Sequence, residues 1–201
     1  MRRDWHSSES LSLVGCMRLP GAGCSKTWPA PAMPQSCKKR AVVEDGYYCL
    51  PIPFKEEKPW LPDARDMVFK RLSSPAMKLR KNSALKEQYT AGMGDQLFKG
   101  YAVEVPLNEL ERKDGCIWYL PHHPVINPNK DKPRIVFDCA ATYQGVSLNS
   151  KILQGSDLTN NLVGVLTRFR LHSVGFMGDI ETMFHQVKVE PSDQDVLLFL
   201  W

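Results

Sequence analysis

The apolar positions of this chain change period several times, and each change marks a different predicted element. Over residues 1–40 no period persists. Leu11 to Leu19 is interrupted by Ser12, Gly15 and Arg18, and Leu19-Pro-Gly-Ala-Gly23 is turn-forming. Such a segment cannot bury enough apolar surface to offset its ordering entropy, which predicts a disordered tail containing Pro, Gly and Cys. Residues 47–62, Tyr47-Tyr-Cys-Leu-Pro-Ile-Pro-Phe-Lys-Glu-Glu-Lys-Pro-Trp-Leu-Pro62, are predicted extended. Each proline there fixes its own φ and drives its predecessor out of the α region. The aromatic residues suit a strap laid on a domain. Asp63 is placed to cap a helix from Ala64, with Met67, Val68, Arg71 and Leu72 as its stripe and Ser73-Ser-Pro75 as its stop. Met77, Leu79, Leu85, Tyr89, Leu97 and Phe98 mark a second helical stretch, interrupted at Gly92-Met-Gly94 and stopped by Gly100.

From Tyr101 onward strands predominate. Tyr101–Val105, Cys116–Leu120 and Arg134–Asp138 read as strands. Asp157 can cap an amphipathic helix with the stripe Leu158, Leu162, Val165, Leu166 and Phe169. Ser173–Gly178 reads as a strand that delivers Asp179 at its end. Val187–Val189 and Val196–Trp201, on either side of a Pro191 turn, read as an antiparallel pair, and the last run would present an exposed edge. The expected class is α+β in three parts. These are the tail 1–40, an extended strap with a helical connector over 41–100, and a mixed region over 101–201.

Composition narrows the function classes. Apolar residues at 43% and charged residues at 24% exclude wholesale disorder and fibre. No run of apolar residues is long enough for a membrane-spanning helix, so no membrane partner is expected. The net charge of +4 is unevenly placed: residues 1–40 hold seven Lys/Arg against two acids, and the remainder nineteen against twenty. The pI therefore does not by itself indicate a nucleic-acid binder. One inner window does concentrate charge, with Arg65, Lys70, Arg71, Lys78, Arg80, Lys81 and Lys86 against Asp66 alone. That patch can track a phosphate backbone, and it equally fits a solvated helix face. The six cysteines form no CxxC pair, and no apolar core of a signal peptide follows Met1-Arg-Arg3, so free thiols in a reducing, intracellular setting are expected.

Three stretches carry candidate chemistry. Asp179, in Gly178-Asp-Ile-Glu-Thr-Met-Phe-His-Gln-Val187, follows an apolar run. A half-buried carboxylate there needs a cation or a partner, and Mg²⁺ takes such oxygen ligands. A helix N-cap explains the same residue equally well. Lys130-Asp-Lys-Pro-Arg-Ile-Val-Phe-Asp138 puts basic groups at the mouth of a strand, where a triphosphate or simply a charged turn would account for them. His122 and His123 resemble a metal pair, but neighbours on an extended chain point to opposite sides, which favours a structural role.

Taken in order, several blocks resemble the reverse transcriptase of Bel/Pao-type LTR retrotransposons. They are Trp118-Tyr-Leu-Pro-His-His-Pro-Val125, Lys132-Pro-Arg-Ile-Val-Phe-Asp138, Gly145-Val-Ser-Leu-Asn149, Gly155-Ser-Asp-Leu158, Val163-Gly-Val-Leu-Thr-Arg-Phe-Arg170, Asp179-Ile-Glu-Thr-Met-Phe-His-Gln-Val187 and Phe199-Leu-Trp201. Upstream, Asp45-Gly-Tyr-Tyr-Cys-Leu-Pro-Ile-Pro-Phe54, Lys58-Pro-Trp-Leu-Pro62 and Gly100-Tyr-Ala102 are similar to the connector before that domain. The resemblance covers residues 41–201 and implies part of a right-hand polymerase, the fingers and the start of the palm. It implies that Asp179 is the first catalytic, metal-binding aspartate and that the Ile180 carbonyl joins it on the metal. Phe184 would be the gate that excludes a 2′-OH, and Arg134, with Lys132 beside it, would grip the incoming triphosphate. Gln186 and Arg170 match the pattern in packing roles. The implied reaction is in-line nucleotidyl transfer on an RNA template–DNA primer duplex, from a dNTP, with Mg²⁺ or Mn²⁺.

One departure matters. The family's second acidic motif, Tyr-x-Asp-Asp, has no counterpart, because no Asp-Asp pair occurs in the sequence. Past Asp179 the acids are Glu181, Glu190, Asp193 and Asp195. The expectation is a truncated polymerase fragment over 101–201 that is incompetent alone. Two other readings stand beside it. One is a domesticated nucleic-acid-binding module using Lys70, Arg71, Lys78, Arg80 and Lys81. The other is a zinc or structural protein using Cys116, His122, His123 and Cys139.

Overall fold

A computed structural model of the chain describes residues 16–19, 35–44, 46–57, 59–106, 109, 116–129, 132–154 and 160–201. The elements are β1 (Cys16–Arg18), α1 (Gln35–Arg40), β2 (Val42–Glu44), β3 (Tyr47–Leu50), α2 (Arg65–Lys81), α3 (Ser83–Phe98), β4 (Val103–Glu104), β5 (His122–Val125), β6 (Arg134–Phe137), α4 (Leu148–Lys151), α5 (Leu162–Phe169), β7 (Val187–Val189) and β8 (Leu198–Leu200), with 3₁₀ turns at Met183–Gln186 and Pro191–Leu197. The class is mixed α and β, compatible with the α+β expectation.

The helical connector forms, with a different break. α2 continues through Pro75 to Lys81 instead of stopping at Ser73-Ser-Pro75. A mid-helix proline removes one hydrogen bond. Val68 upstream is fully buried, and Leu72 packs against the same cluster, so burial holds the helix across the defect. The break falls at Asn82, whose side chain accepts from the Leu85 N–H and caps α3. α3 runs through Gly92 and Gly94 to the predicted stop at Gly100, where φ is +69°. Gly92 has a packing reason: a Cβ there would lie 3.3 Å from Cδ1 of Ile135 on β6.

Three small sheets result among the described residues, in the orders β4-β1-β8, β2-β3-β7 and β5-β6. Part of the predicted tail is thereby corrected. β1 is the central strand of its sheet, antiparallel to β4 and β8, and Met17 and Leu19 are buried. Arg18 binds Asp195 at 2.5 Å and Glu109 at 3.0 Å, which anchors the strand by charge as well as by ladder. α1 also falls within residues 1–40, with Cys37 buried. The rest of the predicted tail, residues 1–15 and 20–34, lies outside the described residues.

The predicted β7–β8 hairpin does not form. β7 pairs in parallel with β3, and β8 pairs with β1. The intervening 3₁₀ turn uses the residues a tight hairpin would need and sends the two strands into different sheets. The expected exposed edge is likewise absent at β8, because β1 covers one side and a bridge from Tyr119 covers the other. Cys116–Leu120 contributes that single bridge and no strand of its own. After β3 the described part of the strap forms no helix but bends at residues 55–57: Pro51, Leu61 and Pro62 are buried, and Phe54 bridges to Ile152. Trp118, Phe199, Leu120, Met93 and Leu148 centre the main core, where α3, α4 and β8 meet.

α5 starts later than predicted. Asn161 caps it through bonds from the Val163 and Gly164 N–H groups, while Asp157 lies outside the described residues. Its apolar residues, including Leu162, Val165 and Phe169, are exposed. Ser173–Gly178 is not a strand, and no strand among the described residues pairs with it. Instead Gly175 lies against the Phe169 ring, where a Cβ would sit 2.6 Å from Cζ.

Candidate functional site

Asp179 therefore sits on irregular, exposed chain and not at a strand end. It caps no helix either. The turn that follows is entered through Thr182, a β-branched residue at φ +47°, in the left-handed region that such side chains rarely occupy. The cost of that conformation is met locally. Gln186 Nε2 donates to the Glu181 carbonyl and to Thr182 Oγ1, and the Tyr101 hydroxyl lies 3.4 Å from the same oxygen. Tyr101 also stacks on His185, with centroids 4.2 Å apart and rings nearly parallel. Burial, and then the nearby Lys99 charge, lower the His185 pKa. The block Asp179–Val187 is thus pinned at its C-terminal half, which feeds β7. Asp179 and Ile180 extend from it into solvent, and Phe184 is exposed on the turn.

Arg134 opens β6 opposite Val125, and Lys132 precedes it; both are exposed at the open end of the β5–β6 pair. Among the described residues no hydrogen bond or ion pair joins either of them to Asp179. One carboxylate on exposed chain does not fit a two-ion centre, and among the described residues no group of three or more His, Cys, Asp or Glu is arranged to hold a metal.

His122 and His123 diverge as expected. His123 is exposed, whereas His122 is buried with both ring nitrogens engaged. Its Nε2 lies 2.7 Å from the Leu200 carbonyl, which can only accept, so Nε2 carries the proton and Nδ1 accepts from the Tyr89 hydroxyl at 2.5 Å. Burial pushes the Tyr89 pKa up and keeps that donor protonated, and burial foremost lowers the His122 pKa. No nitrogen of His122 remains for zinc, and among the described residues Cys116, His122, His123 and Cys139 form no group arranged to hold a metal.

The basic window is brought to one surface. Lys70, Arg71, Lys78, Arg80 and Lys81 are all exposed on α2. Arg71 pairs with Asp138 at 3.2 Å. Asp66, Met67, Lys70 and Arg71 line an open cleft of about 420 Å³ with Tyr143 on its far wall. Tyr143 escaped the sequence reading. The signal was present in Tyr143-Gln-Gly-Val146, where Gln144 and Gly145 both take positive φ and close a two-residue turn of the type that favours glycine.

No protein-family model matches the chain, and no curated protein and no solved structure matches it. No helix among the described residues is long and apolar enough to cross a membrane.

Proposed function

We propose that these residues are part of an RNA-directed DNA polymerase of the Bel/Pao retrotransposon type, its fingers and the first elements of its palm, and that they do not polymerise alone. The observation that carries this reading is the ordered series of sequence blocks from Trp118 to Trp201. Arg134 and Lys132, exposed at the mouth of β5–β6, support it, because an incoming triphosphate could reach them there. In the intact family the partners are an RNA template–DNA primer duplex and a dNTP, and Mg²⁺ or Mn²⁺ stabilises the attacking and leaving oxygens. Among the described residues no group of three or more His, Cys, Asp or Glu is arranged to hold such an ion. Primer extension by the purified chain with Mg²⁺ or Mn²⁺ tests the claim. No product is expected, and a processive ladder would overturn it.

A second reading, a nucleic-acid-binding module without catalysis, is favoured by one observation: Lys78, Arg80 and Lys81 project from α2 without ion-pair partners among the described residues. It expects an affinity for RNA–DNA hybrid that falls as salt rises. No binding at low salt would end it.

A further inference from the structure

The cleft beside α2 joins two features that single-stranded nucleic acid requires together, a flat aromatic face and a run of cations. We propose that Tyr143, Met67 and the basic arc of α2 form a binding site for single-stranded nucleic acid, with an unpaired base in the cleft and its phosphates along the helix. The inference rests on the nucleic-acid reading above and names the form of nucleic acid taken.

The backbone of Tyr143 is fixed by a tight turn. Its N–H and C=O both pair with Val146 across the tight turn, at 2.8 and 3.0 Å. Just beyond, Ser147 and Ser150 form a reciprocal capping box that fixes the start of α4. On the other side, Asp138 accepts from the Ala140 N–H through one oxygen and from Arg71 through the other, so the loop carrying Tyr143 is tied to α2. An aromatic held this way loses little freedom when a base stacks on it. Met67 from α2 supplies a second apolar surface to the cleft.

The charges divide the work. Asp66 lies in the cleft and can only accept hydrogen bonds, so it favours a base edge over a phosphate at that point. Lys70, Arg71, Lys78 and Lys81 fall within one arc of about 100° on α2. The arc runs away from the cleft for roughly 16 Å, long enough for successive phosphates of one strand. Arg65 and Arg80 fall outside it. A duplex keeps its base faces stacked and offers nothing to Tyr143, so the site selects unpaired strand.

The test is fluorescence anisotropy of the full chain with a labelled oligo(dA) of about twelve nucleotides, and with the same strand in a duplex, over a salt series. The single strand should bind more tightly. Tyr143→Ala should weaken it about tenfold, while Tyr143→Phe, which keeps the ring and its packing, should leave it unchanged. Lys78→Ala and Lys81→Ala should each lower the salt slope by about 0.7. Circular dichroism melts of each variant establish that it is folded. A folded Tyr143→Ala chain that binds the strand as well as the unaltered chain overturns the proposal, as does binding of duplex alone, and in both cases the broader reading survives. Failure of every nucleic acid at low salt removes both.

Discussion

Val196–Leu200 and Leu162–Met177 are both rich in large apolar residues, but only the first has its side chains covered. Every residue from Val196 to Leu200 is buried, with the backbone of β8 paired to β1 on one side and Tyr119 on the other. In the second stretch Leu162, Phe169 and Val174 are exposed, Phe176 is 90% exposed and Met177 96%. The contrast separates two things that hydrophobicity merges. Apolar content creates a demand for burial, and a partner surface decides whether it is met. β8 has β1, while in α5 and the chain after it the large apolar residues stay exposed, and Phe169 lies against Gly175.

The largest expected effect comes from breaking the covered side. Phe199 is fully buried, edge-on to His122 and to Phe137. Phe199→Ala should lower unfolding free energy by about 3–5 kcal/mol, read from a denaturant midpoint. A loss near zero would mean that the β8 side is no better packed than α5. Next comes His122→Ala, which leaves the Tyr89 hydroxyl and the Leu200 carbonyl without their partner and should cost about 1–3 kcal/mol. His122 also predicts a pH dependence. Its folded pKa lies below the ordinary value of 6.5, so below that pH the unfolded chain binds more protons. Stability should be level above pH 6.5 and fall as pH drops from there toward the lower folded pKa. His185 contributes in the same direction, so His122→Ala should reduce this slope without abolishing it. A slope unchanged in the variant would assign it elsewhere. The smallest effect should come from the uncovered side: Phe176→Ser and Met177→Ser should shift stability by no more than about 0.5 kcal/mol while lowering the fluorescence of a bound apolar dye. A loss of 2 kcal/mol or more would show that this stretch is covered in solution.

The same contrast explains what was legible in the sequence. Local signals were read well. Gly100 stops α3, Arg134–Phe137 is a strand, and His122 and His123 face opposite ways, because φ preference and strand alternation act over a few residues. Signals that depend on a distant neighbour were misread. Cys16-Met-Arg18 is too short and too close to Gly and Pro to announce a strand, and its partner lies at the other end of the sequence. Ser173–Gly178 has the composition of a strand but pairs with no strand among the described residues. At the candidate sites, the resemblance pointed to Asp179 and Arg134 and the charge window to the basic residues of α2, but spacing alone carried no information about which of them would meet. Tyr143 was hidden because its place in the cleft depends on a turn that brings it opposite α2.

The position of β1 sets a clock on synthesis. Cys16 pairs with Leu200 and Met17 with Phe199, so β1 must wait for a strand made about 180 residues later. At a translation rate of 5–20 residues per second, that is an interval of roughly 10–40 s. Throughout it Met17 and Leu19 lack the surface that finally covers them, and the β4-β1-β8 sheet can close only after Leu200 has cleared the ribosome. The yield of folded chain should therefore depend on how long nascent protein is shielded, and holdase chaperones that bind short apolar segments should raise it.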